Sequence, residues 1–162
     1  MDNITFDEFK KLDLRVGEIK AAEDVPGADR IYKLSVEIGG ELKELVAGIK
    51  GHYEKDSLVG KKIIVLTNLE PRVIRGITSH GMLLAASEGK TVEVLFVDHA
   101  PPGERVVLAG TTGPAPAEIM DIDTFFAMPI GVTDMRVTVG DAGLECAGRP
   151  VSTAKVAKGR VK

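Results

Sequence analysis

The sequence predicts an all-β fold built on a five-stranded Greek-key barrel. Segments in which apolar and polar residues alternate recur along the chain up to about residue 108, and Gly or Pro steps separate them. A short helical stretch stands between the third and the fourth of these segments. Three strands, a helix and two or more further strands are the order of an OB-type barrel, and an SH3-like barrel or an open meander fits that order less well.

A short helix should precede the barrel. Thr5 can cap it, and Glu8 completes a capping box three residues later. Ile4 and Phe9 occupy the positions of a hydrophobic staple. These signals predict a helix over residues 6–11 that closes one end of the fold.

The barrel strands follow from the period-2 pattern. The first begins at Leu12, and Gly17 interrupts its alternation, which predicts a bulge or a sharp bend. A Pro-Gly step marks residues 23–29 as a loop, and Gly39-Gly40 turns the second strand into the third. The other strands are predicted at residues 32–38, 42–47, 63–66, 82–86, 92–97 and 106–108, and the helix at 52–58.

Composition changes after the barrel. Gly and Pro residues predict a linker over 110–118, which divides the chain into a barrel domain (1–109) and a β-rich appendage (119–162). Strands are predicted in the appendage near residues 135–139, 144–147 and 151–154, and its tail is basic. Since the appendage is too small for a core of its own, it should pack on the barrel or on a partner.

Composition and charge limit the possible functions. The chain has 162 residues, 44% of them hydrophobic and 28% charged, which is typical of a globular protein. No apolar run approaches the ~20 residues of a membrane-spanning helix. The absence of an N-terminal signal core and the single Cys146 predict a cytoplasmic protein. A net charge of −3 means that any nucleic-acid binding must depend on a local basic patch.

The strongest functional signal lies in residues 68–81, between the fourth and fifth predicted strands. Pro71, Gly76 and Gly81 give this loop a fixed shape, and Arg72 and Arg75 offer guanidinium groups that suit phosphate oxygens. The loops 23–30 and 68–81 flank the binding face of an OB barrel. The sequence therefore predicts an anion-recognition loop, supplied with small polar side chains at Asn68, Thr78 and Ser79.

Catalysis and base stacking are poorly supported. His52, His80 and His99 are scattered and form no metal-ligand spacing, so neither an enzyme nor a bound metal or cofactor is expected. The chain has no Trp, and only Tyr32 and Tyr53 are plausible stacking residues, unless both belong to the core. Recognition by backbone and shape, which suits folded RNA, is the remaining expectation.

Several motifs together resemble one known family, the tRNA-binding OB domain. That domain is attached to many methionyl-tRNA synthetases, stands alone in small bacterial proteins, and forms the tail of endothelial monocyte-activating polypeptides. The resemblance covers residues 4–108. It rests on Phe9-Lys-Lys-Leu-Asp-Leu-Arg-Val-Gly-Glu-Ile19, Ala28-Asp29, Val46-Ala47-Gly48-Ile49, Asn68-Leu69-Glu70-Pro71, Arg75-Gly76 and Ser79-His80-Gly81-Met82-Leu83-Leu84-Ala85-Ala86.

The resemblance implies a non-catalytic protein that binds folded tRNA and assists an aminoacyl-tRNA synthetase of the methionyl type. His80 stands where the family usually has Glu or Gln, and it is either a pH-sensitive contact or a solvent-facing side chain. By position, the tRNA contacts implied by the family are Asn68, Arg72, Arg75, Ser79 and Met82, with Lys33 as a lesser contact on the barrel.

The appendage leaves the oligomeric state open. The short stand-alone relatives pair as homodimers, whereas the appendage faintly resembles the extra segment that fills this dimer surface in the monocyte-activating polypeptides. The chain is accordingly expected to be a homodimer or a monomer. Two alternatives to tRNA binding remain: a dimeric secretion-type chaperone, which requires an exposed apolar groove, and a synthetase scaffold that touches RNA only weakly.

Overall fold

A computed structural model of the chain describes residues 11–108, 121–126, 130–139 and 142–161. The predicted N-terminal helix, apart from its last residue, and the predicted linker lie outside these ranges. Among the described residues no helix is long and apolar enough to cross a membrane. The strands are β1 (Leu14–Asp24), β2 (Tyr32–Ile38), β3 (Glu41–Ala47), β4 (Lys62–Leu66), β5 (Arg72–Ile74), β6 (Ile77–Ser79), β7 (Met82–Leu83), β8 (Ala85–Glu88), β9 (Thr91–Val94), β10 (Val106–Leu108), β11 (Ile130–Thr133), β12 (Arg136–Val139), β13 (Ala142–Cys146), β14 (Arg149–Pro150) and β15 (Lys158–Val161), and the helices are α1 (Lys55–Leu58) and α2 (Ile122–Phe126).

The barrel is one curled antiparallel sheet in the order β3-β2-β1-β4-β7. The barrel closes at Gly81, where the two end strands of this sheet, β3 and β7, approach each other. A Cβ atom on Gly81 would lie 3.0 Å from the carbonyl oxygen of Leu66 and 3.2 Å from the Leu45 side chain. Only glycine leaves room for this approach. The strand order and the helix α1 after β3 confirm the predicted OB-type barrel.

β4 is buried on both of its faces. Ile63 and Val65 point into the barrel interior, where they join one hydrophobic cluster. Ile64 and Leu66 alternate to the opposite face and join a second cluster. This explains the unbroken apolar run from Ile63 to Leu66, because a strand with one solvent-facing side would alternate with polar residues.

The appendage packs on the barrel, which is one of the two alternatives that the sequence left open. The second cluster joins Leu14 and Ile64 of the barrel with Phe125, Ile130 and Val137 of the appendage. Hydrogen-bonded pairing crosses the same boundary, because β15 pairs with β8 and β13 pairs with β10. The appendage therefore shares a core with the barrel, while the division at residues 109 and 118 stays a prediction.

Several predicted boundaries were wrong. The segment 82–86 is not one strand, because the backbone leaves β4 at Leu84 and continues as β8 beside β9. The bulge in β1 lies between Ile19 and Ala21 and not at Gly17. Gly17 instead allows close packing, since a Cβ there would meet Val36 at 2.5 Å.

Helix α1 is also shorter than predicted, and β9 ends earlier than the predicted strand. In the appendage, residues 151–154 form no strand, and β14 and β15 flank them instead. The last difference has a physical reason: Ala154 N donates its hydrogen bond to the Glu93 carboxylate instead of to a neighbouring strand.

Candidate nucleic-acid interface

The predicted anion-recognition loop over residues 68–81 contains a small β-hairpin, whose two strands the sequence did not predict. β5 and β6 pair in register, with Arg72 opposite Ser79 and Ile74 opposite Ile77. Arg75 and Gly76 form the turn, with φ angles of 53° and 80°. Two positive φ angles are the signature of a type I′ turn, whose twist suits a two-residue hairpin. Short-range pairing therefore fixes the position of the two arginines.

Arg75 adopts a backbone conformation that few non-glycine residues use. Its φ of 53° lies in the left-handed region, where a side chain crowds the following carbonyl. Asn is much commoner than Arg at such a position. The side chain is exposed at the tip of the hairpin. Strained residues of this kind occur at functional sites more often than elsewhere.

Ser79 fastens the base of the hairpin to the edge of the barrel. The side chain is buried, with 4% exposure. Its hydroxyl accepts a hydrogen bond from Val46 N and donates one to the Gly81 carbonyl, both at 3.0 Å. Next to it, His80 N donates to the Glu44 carbonyl at 2.9 Å. The Ser79 hydroxyl is thus engaged by the backbone, and this geometry supports a positioning role.

The Asn68 side chain fixes the backbone just before β1, again through hydrogen bonds to backbone groups. Its side-chain oxygen accepts from Asp13 N at 3.0 Å, and its amide nitrogen donates to the Lys11 carbonyl at 2.7 Å. The neighbouring Thr67 hydroxyl donates to the Asp13 carbonyl at 2.9 Å. Because both ends of the Asn68 amide contact backbone, its support for a bound RNA would be indirect.

Arg72 and Met82 lie beside a groove at the base of the hairpin. The groove has a volume of about 350 Å³. Arg72 is exposed, whereas Met82 is half-buried and packs against the second cluster. Arg72 is the single charged side chain among the described residues that line the groove. The remaining lining residues are Ile31, Val46, Ala47, Gly48, Ile49, Leu69, Ile74, Ser79, Gly81, Met82, Leu83, Ala85, Ser87 and Val92.

Lys33 and His80 lie along a different, more open depression beside β3. The Lys33 ammonium lies 3.6 Å from a Glu23 carboxylate oxygen and 3.7 Å from one of Glu44. These two carboxylates partly neutralise the Lys33 charge and so weaken its attraction for an anionic ligand. The His80 side chain is exposed to solvent. The structure therefore brings Arg72, Ser79 and Met82 to one groove and places Lys33, His80 and Asn68 elsewhere.

Tyr32 and Tyr53 belong to the core, which resolves the alternative left open by the sequence. Tyr32 is buried and donates its hydroxyl hydrogen to the Tyr53 carbonyl at 2.7 Å. The Tyr53 hydroxyl accepts from Val94 N at 3.0 Å, and its ring meets Phe96 edge-on at 5.7 Å. Partial burial raises the pKa of Tyr53. Neither ring is available to stack on a base.

Residues 46–49 form a wall of the groove that sequence reasoning did not recognise as part of the site. Val46 and Ala47 are the last residues of β3 and Ile49 follows the strand, and all three are buried. The segment Val46-Ala47-Gly48-Ile49 was prominent in the sequence as a motif. It carries no charged or hydrogen-bonding side chain, so it gave no chemical signal of a site.

No cluster of three or more His, Cys, Asp or Glu side chains that could hold a metal ion occurs within the part of the chain that the structure describes. Arg72 and Arg75 are both exposed on the hairpin. Guanidinium groups bind phosphate oxygens in bidentate fashion, and two of them on a rigid hairpin form a suitable contact for a nucleic-acid backbone.

Comparison with known proteins agrees with this chemistry. A family model described as a putative tRNA binding domain matches residues 14–105. The chain is 48% identical over 98 residues to a methionine–tRNA ligase of Thermococcus kodakarensis. These 98 residues make up 60% of this chain and 13% of that protein. The chain thus spans a small part of the curated relatives that it matches.

Solved structures resemble the chain over different lengths. The C-terminal domain of Plasmodium vivax p43 has a TM-score of 0.87 at 24% identity, covering 95% of this chain and 98% of that one, which shows a shared fold. A MetRS related protein from Pyrococcus horikoshii has a TM-score of 0.60 at 34% identity and covers 65% of this chain and 98% of its own. A CsaA chaperone protein from Picrophilus torridus has a TM-score of 0.59 at 37% identity and covers 63% and 97%.

Proposed function

Since the chain belongs to the family of putative tRNA-binding domains, we propose that it binds folded tRNA without catalysing a reaction, and reads the sugar–phosphate backbone and the overall shape. The observation that carries this proposal is the hairpin β5–β6, which holds Arg72 and Arg75 exposed on a base fixed to the barrel. A pre-positioned charged group loses little conformational entropy when it binds. The arginines therefore contact phosphates at low cost.

The partner that fits this role is an aminoacyl-tRNA synthetase of the methionyl type. The chain would act in the cytoplasm as an accessory or β subunit that increases the affinity of the enzyme for tRNA. The relation to methionine–tRNA ligases supports this partner. Docking by one extra module can raise overall affinity considerably, because the second binding event becomes intramolecular.

A monomer is the oligomeric state that we propose. β15 occupies the edge of β8, and β13 pairs with β10, so the appendage fills sheet edges of the barrel that would otherwise be free to pair. In addition, the cluster around Phe125 covers apolar side chains on the outer face of β4. Light scattering on the purified chain would distinguish a monomer from a dimer.

A chaperone role is the second candidate, and the apolar groove beside Met82 is the observation that favours it. The resemblance to a CsaA chaperone protein concerns the same barrel. Unfolded peptides bind through apolar side chains and free strand edges. Arg72 and Arg75 have no place in that chemistry, so we favour tRNA.

Competition between two RNAs tests recognition of folded tRNA. Labelled tRNA is first bound to the protein. Unlabelled tRNA, folded in Mg²⁺, and an unstructured RNA of equal length and charge are then compared as competitors. We expect folded tRNA to compete at least about tenfold better, since a rigid surface matches a rigid backbone. Equal competition would show that binding is only electrostatic, and absence of binding would refute the proposed function.

A further inference from the structure

The groove at the base of the hairpin has the dimensions of a small-ligand site. Its volume of about 350 Å³ lies at the lower end of the range for small-molecule pockets, roughly 300–1,000 Å³. Its walls are aliphatic: Val46 belongs to the end of β3 and Ile49 to the segment after it, Leu69 and Ile74 come from the hairpin and its approach, and Met82 from β7. A planar apolar face would remove these side chains from water.

The charge at the groove is positive. Arg72 is exposed, and it lines the groove on the same hairpin face as Ile74. No carboxylate occurs among the described residues that line the groove. The Ser79 hydroxyl there is already engaged by Val46 N and the Gly81 carbonyl. The groove thus offers an apolar surface with a cation at its side, which is complementary to a ligand with a flat ring and an attached anion.

We propose that this groove holds the base of one unpaired nucleotide of the bound tRNA, with the adjacent phosphate on Arg72. The inference rests on the proposed function and adds a base contact to recognition by backbone and shape. Bases taken out of a stack are held between apolar or aromatic side chains in other nucleic-acid-binding proteins. Because burial of apolar surface is non-directional, aliphatic walls bind any base face with little preference, so this contact is tolerant of sequence.

An extended peptide fits the site less well. Addition of a peptide strand requires a free strand edge. On the nearby edge of β3, Val46 N donates to the Ser79 hydroxyl and the Glu44 carbonyl accepts from His80 N. The hairpin therefore already satisfies these two groups on the edge of β3 that does not pair with β2.

Gly48 provides a way to fill the groove without removing a charge. It is exposed, and its φ lies outside the left-handed region, so other residues can adopt its conformation. The nearest atom to an added Cβ would be the Arg30 carbonyl oxygen at 3.9 Å, an ordinary contact. Gly48→Phe places a ring at the groove wall, and Gly48→Ala is the matched control that leaves the groove open.

We expect Gly48→Phe to weaken tRNA binding about five- to tenfold and Gly48→Ala to change it less than about twofold. The dependence of affinity on salt should keep its slope in both variants, because both keep Arg72 and Arg75 to contact phosphates of the RNA backbone. Unchanged affinity in Gly48→Phe would overturn the base site and leave the proposed function intact. If Gly48→Phe instead lost binding of a reduced, alkylated unfolded protein while tRNA binding was unaffected, the groove would be a peptide site.

Dimethyl sulfate probing gives a second measurement that does not depend on affinity. At saturating wild-type protein, we expect protection of at least one unpaired base of tRNA, with dimethyl sulfate reporting adenine and cytosine and a carbodiimide reporting guanine and uracil. At saturating Gly48→Phe that protection should disappear, although the complex still forms. A protection pattern identical in the two proteins, or no base protection in either, would contradict a base in the groove. Thermal unfolding of both variants checks that they are folded.

Discussion

The hydroxyl oxygen of Ser79 lies 3.0 Å from the backbone nitrogen of Val46, and this hydrogen bond joins the hairpin β5–β6 to the edge strand β3. Because Ser79 also donates to the Gly81 carbonyl at 3.0 Å, one buried side chain fixes both the hairpin and the closure of the barrel. The position of Arg72, directly opposite Ser79 in the hairpin, depends on this attachment.

Ser79→Ala should destabilise the protein by about 1–3 kcal/mol, because the substitution leaves the Val46 amide and the Gly81 carbonyl without their buried partner. Urea denaturation measures the loss. Thr78→Ala, at the exposed neighbouring position, is the control and should change stability by less than about 0.5 kcal/mol. If Ser79→Ala weakened tRNA binding without any loss of stability, Ser79 would be a direct contact and not an anchor.

Arg75→Asn should raise stability while it lowers affinity for tRNA. Asn tolerates the left-handed conformation of the Arg75-Gly76 turn, so relief of strain should contribute up to about 1 kcal/mol. Loss of one phosphate contact should reduce the slope of log affinity against log salt by about 0.9. Thermal unfolding and a salt series measure the two effects.

Arg75→Lys separates charge from backbone strain. It keeps the cation and, like Arg, is not favoured at a positive φ, so we expect neither the gain in stability nor the change in slope. Unchanged affinity and an unchanged salt slope for Arg75→Asn would show that the hairpin tip faces away from the RNA.

Glu93 anchors the appendage to the barrel. Its buried carboxylate accepts hydrogen bonds from Ala154 N at 2.5 Å, Lys155 N at 2.7 Å and Val156 N at 2.9 Å. Glu93→Gln removes the charge that strengthens these bonds and should cost about 1–3 kcal/mol. Glu88→Gln is the control, since Glu88 is exposed and, among the described residues, accepts a single hydrogen bond, from Ala157 N at 3.2 Å.

The reactivity of the Cys146 thiol reports whether the appendage stays attached to the barrel. Burial raises the pKa of its thiol to about 11, so at pH 8 the folded protein holds very little reactive thiolate. Alkylation by iodoacetamide at pH 8 should therefore be slow in the wild type and in Glu88→Gln, and faster in Glu93→Gln, because local opening restores the ordinary pKa. Equal alkylation rates in all three proteins would rule out Glu93 as an anchor.

The barrel could be predicted from the sequence because its strands carry their own signals. Residues 32–38 alternate cleanly and form β2 with the predicted bounds. The break at Leu84 left no such signal, because the chain there changes its pairing partner while remaining extended and buried. The edge position of β15 depends on contact with distant β8, which no local pattern encodes.

In the candidate site, too, some features could be predicted from the sequence and others could not. Arg72 and Arg75 stand out in the sequence because charge beside Pro and Gly has a direct chemical meaning. The roles of Asn68 and Ser79 could not be predicted, since a small polar side chain can contact RNA or its own backbone, and only the fold decides. The groove could not be predicted from the sequence because its walls are aliphatic residues from several separate segments.

Binding of tRNA across a salt series, by wild-type protein and by Arg72→Ala/Arg75→Ala, tests the central claim most directly. If the hairpin arginines contact phosphates, the slope of log affinity against log salt should become shallower by about one to two in the double variant. Arg136→Ala/Arg149→Ala removes two exposed cations of the appendage and should keep the wild-type slope. A double hairpin variant with the wild-type slope and affinity would contradict a tRNA contact at the hairpin.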